Sequence, residues 1–227
     1  FNAGSSDVFA GTQHEFFAQR EAHSDLMPIM LLDKSYGGDM IMSNSSIEQL
    51  ADSSQKVDVY LEVDSINHDL LNYFIAKHHI AKDRLIIHNL SQDEISLIKS
   101  STITQPVIIV TYNPYNLELV DNGFKVIADT KSSKELFVVD AIYASSAFYN
   151  SHKDRFRQLD KIINRSLKAL QDNPREYYEK VRVYLDNPSY EEFMIMNNNI
   201  VWLRPNTNQA DIGSLLQIKF PIKDIVR

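Results

Sequence analysis

Seven histidines and 30 acidic residues are this chain's stock of groups for proton transfer or metal binding. Covalent catalysis needs a nucleophile, a base and a group that orients the base, all within hydrogen-bond reach. A zinc site needs ligands at a chelating spacing. His14, His23, His68, His78, His79, His88 and His152 show no such spacing. QHEFF at Gln13–Phe17 only begins like the H-E-x-x-H zinc motif. His78 and His79 are adjacent, so on a helix they point about 100 degrees apart and do not chelate together. No G-x-S-x-G elbow, Walker phosphate loop or G-x-G-x-x-G fingerprint occurs. With no cysteine there is no thiolate nucleophile, no Cys-ligated metal and no disulfide. The expectation is a non-enzyme with no catalytic residue, no metal site and no cofactor.

What the chain does concentrate is polar residues at strand-to-helix corners. In VYLEVDSINHDLLNYFIAKH, residues 59–78, a strand stops and a helix begins across Asp64–Ser65, and Asn67 and His68 follow at once. A second corner is Ala10–Gly11–Thr12–Gln13, and a third is Thr111–Tyr112–Asn113–Pro114–Tyr115. A fourth polar turn runs Asp33–Lys34–Ser35–Tyr36–Gly37–Gly38. Each corner taken singly reads as a helix cap: Ser65 or Asp64 for one helix, Asn113 for another. Taken together they describe a pocket. Open α/β sheets gather ligands at the carboxyl ends of their strands, where helix N-termini offer unpaired N–H groups. Tyr36, Tyr112 and Tyr115 would add aromatic walls to a few polar groups, the usual make-up of a small-molecule site.

The elements that must carry these corners alternate along the chain. Apolar runs at Ser6–Ala10, Pro28–Leu32, Val57–Val63, Arg84–His88, Pro106–Val110, Phe124–Ile127 and Leu136–Tyr143 read as strands. GGDMIMS (37–43) reads as an extended segment introduced by two glycines. HEFFAQREAH and Ile66–His79 read as helices, and Ser91 stands three residues before Glu94, the spacing of a capping box. Asn113–Pro114 is expected to open a helix that Gly123 closes. From Asp154 the chain turns helical, with Phe156, Leu159, Ile162, Ile163, Leu167 and Leu170 in one apolar stripe. Asn173–Pro174 and Asn187–Pro188 each read as an N-cap followed by Pro at the first helical position. The pattern predicts an α/β protein with mainly parallel sheets and a helical C-terminal part.

Composition narrows the partners. The 227 residues suffice for one large domain or two small ones. A hydrophobic share of 44% with 23% charged residues belongs to a soluble globular chain. A formal charge of −7 disfavours nucleic acid, whose phosphates need clustered Lys and Arg. No apolar run approaches the roughly 18 residues of a membrane span. There is no charged-then-apolar leader, so an export signal is expected to lie outside these residues.

Several stretches in order resemble one family. GSSDVFAGTQHEFF, PIMLLDKSYGGDMIMSNSSIEQL, VYLEVDSINHDLLNYFI, VIIVTYNPYNLELVDNGFKVIADT and VVDAIYASSAFYNSHKDRFRQLDKIINRSLKAL are together similar to the type II periplasmic substrate-binding proteins of ABC transporters. The class in question handles nitrate, sulfonates, taurine and thiamine-pyrimidine precursors. Gly4 and Asp7, the SYGGD turn, SINHDLL, TYNPY and the late Asn208 carry the match. The resemblance implies two α/β lobes joined by crossing strands near Asp39–Ser43 and Phe137–Tyr143, with ligand clamped between them. One lobe would be residues 1–44 plus 138–227 and the other 45–137. Family members carry a strand–helix unit ahead of Gly4 that these residues do not include.

Contact positions implied by the resemblance are Thr12, Ser35, Tyr36, Gly37, Ser65, His68, Tyr112 and Asn113, with Asp140 and Asn208 in weaker support. The corners themselves add Asp64 and Tyr115. The ligand expected is a pyrimidine-like, amine-bearing or sulfonate solute, with Asp39 and Asp64 favouring an amine. The expected partner is an ABC transporter membrane permease, and the protein is expected to be a periplasmic or extracytoplasmic monomer. An extracytoplasmic ligand-sensing domain of a membrane sensor kinase or cyclic-nucleotide signalling protein is the alternative. A related branch of the fold makes thiamine pyrimidine with a cysteine-rich iron motif, and this chain has no cysteine to supply one.

Overall fold

A computed structural model describes residues 1, 4, 6–52, 54–133, 136–185, 187–205, 207 and 209–221. The chain divides into two compact units. The first comprises Phe1–Lys34 and Val139–Arg227, and the second Ser35–Val138.

In chain order the elements are β1 (Val8–Thr12), α1 (Gln13–Ala22), β2 (Leu26–Ser35), β3 (Asp39–Ser43), α2 (Ile47–Asp52) and β4 (Val57–Leu61). Then come α3 (Ile66–Lys77), β5 (Leu85–Asn89), α4 (Gln92–Ser96), β6 (Val107–Tyr112), α5 (Asn116–Asp121) and β7 (Lys125–Asp129). The chain returns to the first unit with β8 (Val139–Ser145), α6 (Ser146–Ser151), α7 (Lys153–Asp172), α8 (Pro174–Val181), α9 (Tyr190–Asn198), β9 (Ile200–Trp202) and α10 (Gln209–Gln217).

The second unit is a five-stranded sheet in the order β5-β4-β6-β3-β7. β4 runs parallel to both β5 and β6, whereas β3 is antiparallel to β6 and β7. PVIIV becomes β6, buried on both faces, as a central strand covered by helices on each side must be. Ile108 and Val110 join Leu70, Phe74 and Ile75 of α3 in one layer. Val107 and Ile109 point the other way and pack with Ile95 of α4 and Leu119 of α5. That split follows from the two-residue period of a strand. Gly123 closes α5 at φ +90°, with Phe124 N–H bonded to the Leu119 carbonyl.

The first unit holds a four-stranded sheet in the order β1-β8-β2-β9. β1 and β2 are both antiparallel to β8, so they run alike but do not touch. The expectation of mainly parallel sheets is therefore corrected. β8 enters from the second unit against the direction of β1 and β2, and β3 does the same inside the other sheet. Tyr143 of β8 lies stacked between Phe9 and Phe16, at 4.9 Å from each ring.

On α7 the buried or half-buried side is Phe156, Leu159, Ile163, Leu167 and Leu170, whereas Ile162 is 52% exposed. The stripe expected from the sequence thus loses Ile162, about 100 degrees from Ile163 around the helix. Asn173 caps α8 with Pro174 at its start, as its sequence implies. The Asn187–Pro188 expectation fails: Ser189 is the cap of α9, in a capping box with Glu192.

β3 is paired along its length with β6 on one side and β7 on the other. It is an interior strand of the second unit and not a crossing. The chain leaves the first unit between Lys34 and Ser35 and re-enters it between Val138 and Val139. Residues 35–44, expected in the first lobe, fall in the second unit.

Candidate ligand-binding site

In the second unit one edge of the sheet collects the polar turns. β4 and β6 end there, and because β3 runs the opposite way its first residue, Asp39, stands beside Tyr112, the last of β6. β7 finishes at the same edge with Asp129, next to Met40 in register.

The turn after β4 is Glu62–Val63–Asp64–Ser65. Ser65 Oγ accepts the Asn67 N–H at 3.2 Å and donates to the Glu62 carbonyl at 2.8 Å, so it caps α3 and tightens the turn together. Asp64 and His68 are exposed. Asn67, in the first turn of α3, is completely buried, and neither atom of its amide has a partner among the described residues.

The turn after β6 departs from the sequence expectation. α5 begins at Asn116 with Tyr115 in the cap position and no side-chain cap, so Asn113 is not an N-cap. The Asn113 N–H is instead bonded to the Gly38 carbonyl at 2.9 Å, tying this turn to the start of β3. The Asn113–Pro114 peptide is cis. The Asn113 side-chain oxygen is buried without a hydrogen-bond partner among the described residues. Tyr115 meets Tyr112 edge-on at 5.5 Å between centroids.

Tyr112 is half-buried, and its hydroxyl lies 3.5 Å from Glu62 Oε2. Burial pushes the Tyr112 phenol up from its ordinary value of 10.0, and the charges of Glu62 and Asp39 push it the same way. The ring therefore stays neutral beside a carboxylate.

The turn before β3 is held by Thr130, which follows β7. Ser35 Oγ and Thr130 Oγ1 are 2.7 Å apart, Gly37 N–H donates to Thr130 Oγ1 at 2.8 Å, and Asp39 N–H donates to Ser35 Oγ at 2.9 Å. Ser35 is buried and builds the turn, while Tyr36 projects with 41% exposure and the Lys131 ammonium 5.2 Å from its ring. Nine of the ten expected positions, Ser35, Tyr36, Gly37, Asp64, Ser65, His68, Tyr112, Asn113 and Tyr115, thus lie in the second unit, in or next to the turns at one edge of its sheet.

Thr12 is in the first unit. It caps α1 in a capping box with Glu15, its hydroxyl hydrogen-bonded to the Glu15 carboxylate. Asp140 is its partner across β1 and β8, and Asp33 faces Asp140 across β2. Next to Asp33, Lys34 is ion-paired with buried Asp211. Asn208 lies outside the described residues. Sequence reasoning missed Glu62 and Thr130. Glu62 was hidden inside an expected strand reaching Val63, but β4 stops at Leu61. Thr130 acts on Ser35, 95 residues away, and no local pattern announces it.

The fold is that of the periplasmic substrate-binding proteins. The periplasmic aliphatic sulphonate binding protein SsuA from Escherichia coli superposes with a TM-score of 0.71 at 11% identity, over 96% of this chain and 70% of that one. A ligand binding component of an ABC-type import system from Staphylococcus aureus gives 0.69 at 13% identity, over 100% and 80%. The desulfurization enzyme DSZB also gives 0.69, at 9% identity over 96% and 79%, so the fold hosts catalysts as well as binding proteins. No protein-family model matches the chain, and no curated protein matches its sequence.

Proposed function

We propose that this protein binds a small organic solute at the polar sheet edge of its second unit and delivers it to the membrane permease of an ABC importer. It works as a non-enzymatic, extracytoplasmic monomer. The observation that carries this reading is the gathering of three polar turns, with Tyr36, Tyr112 and Tyr115, at one sheet edge of the second unit. The likeness of fold to importer components supports the same reading.

The solute is pyrimidine-like, amine-bearing or a sulfonate. Tyrosine rings cover its flat part, and the turn residues satisfy its polar end. The two passages of the chain between units, at 34–35 and 138–139, serve as the hinge. Ligand then shifts a population toward the closed form that the permease recognises. A thermal-shift screen over sulfonates, pyrimidines, polyamines and amino acids tests the reading, because specific binding raises apparent stability by mass action. Small-angle scattering with a hit should show a smaller radius of gyration. An unchanged radius at saturation would count against closure.

A further inference from the structure

We propose that the solute is an organic cation, an ammonium group joined to a flat apolar body, and that Glu62 is its counter-ion. This rests on reading the second unit's polar edge as the solute site.

A carboxylate and two tyrosine rings come together at this edge. Glu62 presents its carboxylate 3.5 Å from the Tyr112 hydroxyl, and Asp39 is paired with Tyr112 in register. The Asn113 side-chain oxygen is buried without a partner among the described residues. Unfilled buried acceptors cost free energy that a donor-bearing guest recovers.

Several donors near the edge are already committed. Ser65 Oγ already takes the Asn67 N–H at the head of α3, and Gly37 and Asp39 N–H are spent on Thr130 and Ser35. Lys34 is paired with Asp211. The aromatic groups point the same way. Tyr112 and Tyr115 form an edge-to-face pair at this carboxylate, and ring faces attract cations. Tyr36 of the same edge already has the Lys131 ammonium 5.2 Å from its ring. Sulfonate, the ligand named for the Escherichia coli neighbour, would meet Glu62 and Asp39 with like charge.

The test is calorimetry with two matched series that share a body and differ in the head group. One is benzylammonium, benzyl alcohol and benzenesulfonate; the other carries the same three heads on a pyrimidine. The ammonium member should bind tightest in at least one series. Glu62→Gln should weaken it about tenfold or more while leaving the alcohol and the unliganded melting temperature unchanged. A sulfonate that binds tighter than its amine overturns the inference and leaves the solute-binding reading standing. So does an amine whose affinity ignores Glu62→Gln. Silence from both series overturns the inference, and the broader screen then decides the solute-binding reading separately.

Discussion

The hydroxyl of Tyr112, at the end of β6, stands 3.5 Å from the carboxylate of Glu62, which follows β4 fifty residues earlier. The two strands are parallel neighbours, so both turns leave the sheet on the same edge. A neutral phenol beside a carboxylate makes one small region aromatic, anionic and partly dry.

Tyr112→Phe should keep the unliganded melting temperature within about a degree or two, because the ring's packing remains. Affinity for a solute found by screening should fall several-fold. Tyr112→Ala together with Tyr36→Ala should abolish binding in calorimetry. Equal binding by that double variant would remove the aromatic walls from the proposal.

Tyr143 gives a prediction in the opposite direction. Its hydroxyl is buried without a hydrogen-bond partner among the described residues, while its ring is stacked between Phe9 and Phe16. Tyr143→Phe removes an unsatisfied group and keeps the stack, so stability should be unchanged or rise by up to about 1–2 kcal/mol in denaturant melts. The same phenol is pushed above its ordinary value of 10.0 by burial, then by Asp140 and Glu15. The folded state thus holds this proton at pH values where the unfolded chain has lost it. Its stabilising effect is complete below pH 10 and is lost as pH rises beyond that toward the folded value. Tyr143→Phe should flatten this alkaline limb, and an unchanged limb would show that other groups produce it.

Ser65 separates capping from binding. Ser65→Ala should cost about 1 kcal/mol through the lost cap of α3. Ser65→Asp should restore that stability, since Asp caps as well as Ser. If the hydroxyl also touches solute, the Asp variant keeps stability and changes affinity. Full affinity in Ser65→Asp would leave Ser65 a cap alone.

Histidine at position 78 supplies the acid-side counterpart. Burial lowers the His78 imidazole below its ordinary 6.5, helped by the Lys77 and His79 charges. The fold favours neutral His78, so its contribution is present above pH 6.5 and is lost as pH falls toward the lower folded value. His78→Gln should reduce the loss of stability on acidification across that window, read by melts at several pH values.

Gly123 is the position where a side chain should do most harm to a turn. Its φ is +90°, and an added Cβ would sit 3.4 Å from Ser100 Cβ. Gly123→Ala should destabilise by about 1–2 kcal/mol. A neutral result would mean that the α5–β7 turn relaxes.

Much of the local structure was legible. The Ser91–Glu94 spacing became a capping box, Asn173–Pro174 opened α8, and PVIIV became a strand buried on both faces. Each depends on side chains within a few residues. Asn113 misled because Asn-Pro is equally at home in a turn, and here its N–H is bonded to Gly38, 75 residues earlier in the chain. Ser35 and Gly37 are contact positions implied by the resemblance, yet Thr130 takes up their hydrogen bonds.

The sequence by itself determined where most of the strands and helices lie, most of their apolar faces, and that four turns are rich in polar and aromatic residues. Only tertiary structure decided which strands are neighbours and which way they run. β3 inserts antiparallel between β6 and β7, which sets Asp39 beside Tyr112, and β4 pairs with β6, which brings in Glu62. The reason is physical. A period of two residues specifies the faces of a strand, whereas its ladder of backbone hydrogen bonds is chemically the same with any partner in either direction.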